Sequence, residues 1–272
     1  MLWLDAYFYL SDHRKGAPMN HAAAASLTDH GEGTGEAEWA RCPNMRAAPT
    51  ISIDRLVPPG RRAVIVAPHP DDEVLALGGV LAQLSRIDRD TLVVAVTDGD
   101  ASHPNSAQWP PDRLRRERTV ETERALGLLG FRGVTLRLGL PDAKLGVLTH
   151  RLAEQLVSLL SPHDVVFTTW RQDGHPDHEA TGNACAVAVS RSGASLVEVP
   201  VWGWHWAKPA DRRMPWHRAW RVPLDADAVR RKCEAVQAFQ SQLNSAAATG
   251  RGPVLRRSTV ARAARPYEMM FA

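Results

Sequence analysis

No stretch of this sequence approaches the roughly 20 consecutive apolar residues that a membrane-spanning helix needs, so no membrane span is expected. The first ten residues, Met1 to Leu10, contain Asp5, lack a basic cluster and lead to no small-residue cleavage site, which argues against a signal peptide or anchor. Cysteine is scarce. Cys42, Cys185 and Cys233 are odd in number, far apart and never in C-x-x-C spacing, which sets aside a disulfide framework and a zinc knuckle and points to a reducing cytoplasm. Charge is nearly balanced, with 33 basic against 30 acidic residues. Its short arginine clusters, at 113–118 and 256–257, are interrupted or brief, so no nucleic-acid partner is expected. There is no internal repeat and no G-x-G-x-x-G; Gly78-Gly79 falls inside a predicted helix and gives no dinucleotide site.

What is present describes a globular protein: 272 residues, 44% hydrophobic and 23% charged. Residues 1–60 read as an N-terminal extension, mobile in part, because 11–50 have no sustained period and include Gly31-Glu-Gly-Thr-Gly35. Met19 and Met45 are alternative translation starts. From residue 61 to 272 a single domain is expected. Short β-branched runs at 63–67, 91–97, 134–138, 164–169 and 196–201 alternate with helical periods at 72–84, 112–129, 148–160 and 178–189. This alternation predicts an α/β fold, a Rossmann-like, mostly parallel sheet with helices on both faces. Ligands of such sheets sit beyond the carboxyl ends of the strands, and the polar clusters of this sequence fall there, after each of the first four runs.

Two of those clusters carry metal-binding residue types. His69 and Asp72 lie three apart where a strand enters a helix, so an imidazole and a carboxylate can reach one ion. His175-Pro176-Asp177-His178 offers a third ligand from the fourth loop. Asp71 diverges from its neighbours and is placed to take a proton from water whose pKa a zinc ion lowers toward roughly 7.

His69-Pro-Asp-Asp-Glu73 after an apolar strand, with the distal His175-Pro-Asp-His178, resembles the PIG-L (LmbE-like) family of zinc-dependent N-deacetylases, from about residue 61 to the C-terminus. The resemblance implies one Zn²⁺ per chain, or another divalent metal, held by His69, Asp72 and His178, with Asp71 as general base. It implies that His175 is a protonated imidazole serving the oxyanion or the leaving amine, oriented by Asp177. It also suggests that Arg118, in an R-x-x-E helix with Glu121, and Asp142 face the substrate. The substrate class implied is an N-acetylglucosaminyl or related small N-acyl sugar conjugate, and a homo-oligomer is compatible with it. Two departures stand out. Phe239 occupies the place of a histidine before Ser241-Gln242, and Asp173 that of a tyrosine found in some relatives, which leaves oxyanion stabilisation to the metal and His175. Five tryptophans, Trp202, Trp204, Trp206, Trp216 and Trp220, could stack on a sugar or an apolar acyl group, but the alternating Trp202-Gly-Trp204-His-Trp206 fits a strand burying one face, and packing with one ring reaching the pocket is the expectation. An amidase of a non-sugar amide and a non-catalytic metal-binding protein are the competing readings; the free carboxylate of Asp71 counts against the latter.

Overall fold

The structure, a computed structural model, describes residues 31–244 and 252–272. Three short helices come first: α1 (Glu36–Trp39), α2 (Pro43–Ala47) and α3 (Ile53–Leu56). The alternating part follows as β1 (Arg62–Ala67), α4 (Asp72–Arg86), β2 (Thr91–Thr97), α5 (Pro111–Leu129), β3 (Val134–Leu140), α6 (Leu145–Leu159), β4 (Asp164–Thr169), α7 (Pro176–Ser192) and β5 (Ser195–Val199). After it come α8 (Gly203–Trp206), β6 (Ala219–Pro223), α9 (Ala226–Val236), α10 (Gln240–Leu243), α11 (Arg257–Ala261) and β7 (Tyr267–Phe271).

All seven strands form one sheet in the order β3-β2-β1-β4-β5-β7-β6. The first five run parallel, whereas β7 is antiparallel to both β5 and β6. Strand alternation divides the core. Ala63, Ile65, Val165 and Phe167 pack on one face with α4, α5 and α9, and Val64, Val66 and Val166 on the other with α6 and α7. Turn chemistry fixes the helix limits: Pro176 opens α7, and Gly130 and Gly193 close α5 and α7 in the left-handed conformation. Among the described residues no helix is long and apolar enough to cross a membrane.

Two expectations need correction. Residues 31–60 are not a loosely attached extension. Trp39, Cys42 and Met45 are fully buried and join Trp170, Trp204, Met269 and Phe271 in a third core. Polar contacts hold the same segment: Trp39 Nε1 donates to Trp204 O (2.9 Å), Thr34 Oγ1 to Ala207 O (2.6 Å), and Arg265 pairs with Glu36 (2.7 Å). Its apolar anchors are three residues apart, with Trp39 on α1, Cys42 between the two short helices and Met45 on α2, too short a run for a periodic signal. Residues 1–30, with Met1–Leu10 and Met19, lie outside the described residues. The second correction concerns Trp202–Trp206, which is a loop and the short helix α8 rather than a strand.

Candidate active site

The sheet order reverses between β1 and β4, so the loops leaving these two strands diverge and open a crevice at their carboxyl ends. His69 follows β1, Asp72 is the first residue of α4, and His175 to His178 start α7 after β4. Asp72 Oδ2 stands 3.2 Å from His69 Nδ1 and 3.3 Å from His178 Nε2, and the His69 N–H donates to the same oxygen at 3.0 Å. Ligand atoms of His69, His175 and His178 also lie within 4.8 Å of one another, as do those of His69, Asp142 and Asp177. Buried and half-buried imidazole nitrogens and carboxylate oxygens converging in this way suit a divalent ion of borderline softness. The donor set thus fits the metal that the sequence motif implies. Burial works against a charge on either ring. The surrounding carboxylates nevertheless raise His69 well above its ordinary pKa and His178 to about 9. This is the signature of a negative pocket that a cation would neutralise.

Asp71 sits beside this group on a strained backbone, φ 123° and ψ −29°, a conformation that costs a non-glycine residue about 1–3 kcal/mol. Its neighbours hold it there. Arg118 Nη2 donates to Asp71 Oδ2 at 3.0 Å and to Pro70 O at 2.5 Å, while Nη1 donates to Gly99 O at 2.8 Å. The fit demands Gly99, where φ is +66° and a Cβ would lie 2.1 Å from Arg118 Nη1. On the other side the Asp71 N–H donates to Glu73 Oε2 at 3.2 Å. Burial raises the Asp71 carboxyl to about 7 against the opposing charge of Arg118, and burial with the Asp71 charge raises Glu73 to about 8. Arg118, which sequence suggested would face the substrate, is 3% exposed and acts on Asp71 instead. Glu121, one turn on, accepts from both the N–H and the Oγ of Ser241 at 2.6 Å, tying α5 to the C-terminal Ser-Gln pair. Phe239, in the place of the histidine, is buried core.

The distal cluster is wired differently from its expected roles. The Asp177 carboxylate accepts from Ala143 N (2.8 Å) and Leu145 N (3.0 Å) and reaches His69 Nε2 at 3.4 Å, so it orients His69 rather than His175. Its backbone N–H donates to His175 Nδ1 at 3.2 Å, which places the proton of a neutral His175 on Nε2. Burial, then the charges of His178 and His69, hold the His175 pKa well below its ordinary value. The neutral ring, not the expected imidazolium, is therefore the form this environment favours. Asp142, expected to meet sugar hydroxyls, stands 3.2 Å from His69 Nε2 and accepts from Ala101 N at 2.8 Å and Ala143 N at 2.7 Å. Sequence reasoning noted Asp173 as a departure and missed its work. Fully buried, it accepts His178 Nδ1–H at 2.6 Å and takes three backbone N–H groups of the Val201–Gly203 loop. A carboxylate five residues before His178 was the available signal. Of the tryptophans, Trp202 stacks on His205 (4.6 Å, 12°) and meets His175 edge to face at 6.4 Å, whereas Trp204 is core.

Fold and site together define an α/β protein whose strand-end crevice brings a His/Asp cluster that could hold a metal ion beside a buried carboxylate. Residues 64–189 match the PIG-L family, described as GlcNAc-PI de-N-acetylase, and this stretch belongs to that family. The chain is 30% identical over 139 residues to a probable N-acetyl-alpha-D-glucosaminyl L-malate deacetylase 2 of Bacillus anthracis, covering 48% of this chain and 60% of that protein. It is 32% identical over 145 residues to a 1D-myo-inositol 2-acetamido-2-deoxy-alpha-D-glucopyranoside deacetylase of Corynebacterium glutamicum, covering 44% and 49%. The matched regions thus span about half to three-fifths of these relatives. The fold is shared with N,N'-diacetylchitobiose deacetylase from Pyrococcus horikoshii, with TM-score 0.52 and 21% identity over 67% of this chain and 70% of that one.

Proposed function

We propose that this protein is a zinc-dependent N-deacetylase that removes an acetyl group from an N-acetylglucosaminyl-type conjugate, with the ion held by His69, Asp72 and His178. The observation that carries this reading is the buried Asp71 carboxylate, held on a strained backbone beside three convergent metal donors. A purely structural metal site has no use for such a group. The relatives described above are named as deacetylases of acetylated glucosaminyl conjugates, which supports the substrate class. Unpaired cysteines at 42, 185 and 233 suit a reducing cytoplasm.

The ion, when bound, supplies Lewis acidity that acidifies water and polarises the amide carbonyl. The residues of this chain do the rest. Asp71 takes the proton as water adds to the carbonyl carbon, and Arg118 keeps the carboxylate ionised and aimed until it does. His175, neutral and protonated on Nε2, donates to the oxygen as negative charge develops there. Collapse of the tetrahedral carbon breaks the C–N bond, and Asp71 returns its proton to the departing nitrogen. Acetate and a free amine result.

The test is amine release by the zinc-loaded protein from inositol-linked, malate-linked and simple N-acetylglucosaminides, beside larger non-sugar acyl amines. Metal-dependent release from an N-acetylglucosaminide is expected, and Ala at His69, Asp72 or His178 should sharply reduce metal content. Release from the non-sugar amides alone would overturn the substrate class, and bound zinc without any turnover would reduce the protein to a binder.

A further inference from the structure

Asp173 has more to do than fill a buried position. Its two oxygens divide their work: Oδ1 accepts from Val201 N (3.0 Å) and Gly203 N (2.8 Å), whereas Oδ2 accepts from Trp202 N (2.8 Å) and His178 Nδ1 (2.6 Å). Its own carbonyl takes Trp206 Nε1–H at 2.7 Å. One side chain therefore holds both a metal-site imidazole and the segment whose Trp202 ring stands edge to face with His175. Any outward shift of the carboxylate from His178 would also remove an acceptor from three consecutive amides.

We infer that Asp173 is a positioning residue that couples metal occupancy to the order of the Val201–Trp206 wall, an inference that rests on His178 being a ligand as proposed above. The coupling has a simple physical route. Accepting the Nδ1 proton commits His178 to the tautomer that leaves Nε2 free to coordinate. A cation drawing electron density from that ring makes Nδ1–H a stronger donor. The shortest bond to Oδ2 then tightens and the carboxylate is fixed in place for the loop amides. Linkage makes the effect reciprocal, so whatever orders the wall, a substrate pressed against Trp202 included, must also tighten the metal.

Asp173→Asn isolates this role because the amide is isosteric and can still present one oxygen to Val201 and Gly203. Its NH₂ would face two donors, His178 Nδ1–H and Trp202 N–H, and His178 would relieve the clash by moving its proton to Nε2. Zinc affinity, measured by competition with a chromophoric chelator, should fall about tenfold to a hundredfold. Amide hydrogen exchange over 200–207 provides a readout that simple destabilisation would not mimic. In the wild type zinc should slow exchange in this segment severalfold relative to the chelator-treated protein, and in Asp173→Asn zinc should leave it unchanged. Trp206→Phe, which removes the bond to the Asp173 carbonyl and trims the ring that packs on Trp170 and Arg213 while leaving the Asp173 carboxylate contacts in place, should retain the zinc response and serves as the control for loop loosening. If the wild type takes up zinc but 200–207 exchanges equally with and without it, or if Asp173→Asn keeps full affinity, the coupling is wrong while the metal reading survives. Failure of the wild type to bind zinc would overturn both.

Discussion

The parallel part of the sheet and the tryptophan-rich part around it are built by opposite rules. In the first, each strand is followed within a few residues by what it delivers: His69 to Asp72 after β1, Asp98 to Asp100 after β2, Asp142 after β3, Asp173 to His178 after β4. In the second, one core draws on Trp39, Met45, Trp170, Trp204, Met214, Met269 and Phe271, spread across more than two hundred positions of the chain. The residues proposed for the chemistry all lie in the first region. The second supplies a wall beside it, and Asp173 is where the two meet. The side chains proposed for the chemistry thus come from short local patterns, whereas the surface facing them is assembled from distant parts of the chain and reaches them through Asp173.

The comparison breaks most sharply at Asp71. Asp71→Asn keeps the shape and the Arg118 contact but cannot accept a proton, so zinc should stay bound while kcat falls about 10² to 10⁴-fold. Near-normal kcat in zinc-loaded Asp71→Asn, measured as amine release, would show that the base lies elsewhere. In the other region Trp39→Ala should cost about 3–5 kcal/mol of stability by emptying a fully buried site and losing its bond to Trp204 O. A chain beginning at Ala48 removes Trp39, Cys42 and Met45 together and should be worse. Denaturant titration checks both, and unchanged midpoints would return 31–47 to the status of a dispensable extension.

The contrast also explains what could be read beforehand. Strands such as Ala63-Val-Ile-Val-Ala67 and Asp164–Thr169 are continuous apolar runs buried on both faces, and the parallel order follows from their alternation with helices. That His69, Asp72 and His178 come together was legible because they sit at strand ends in two compact motifs. β6 and β7 were not, since they are five-residue antiparallel strands near the end of the chain, each defined mainly by the other. Roles within the site were harder than membership. Nothing in the order His175-Pro-Asp-His178 reveals that the Asp177 carboxylate turns to His69, or that Arg118 is held inward by the approach of Gly99. Those are consequences of loop geometry from separate strands.

The smallest expected effect asks which region sets the pH dependence of stability. Glu73 is buried, its Oε1 has no hydrogen-bond partner among the described residues, and burial together with the Asp71 charge raises its pKa to about 8 from 4.5. The sign follows from proton counting. Between these values the folded protein holds the proton and the unfolded chain has released it, so stability is full below about pH 4.5 and declines as pH rises toward 8. Glu73→Gln stays neutral and can still accept the Asp71 N–H. In metal-free protein the stability difference between wild type and Glu73→Gln should therefore move steadily in favour of the variant from pH 5 to 8 and level off above that. Asp71, brought to about 7, titrates in both proteins and largely cancels in the difference. The tryptophan-rich region offers Arg262, which burial and then the Arg265 charge lower to about 9, beyond this window. Urea titrations of both proteins at one-unit pH intervals measure the difference directly. Parallel curves from pH 5 to 8 would mean that Glu73 reaches water or a hydrogen-bond donor in solution, and the site would be less dry than its packing implies.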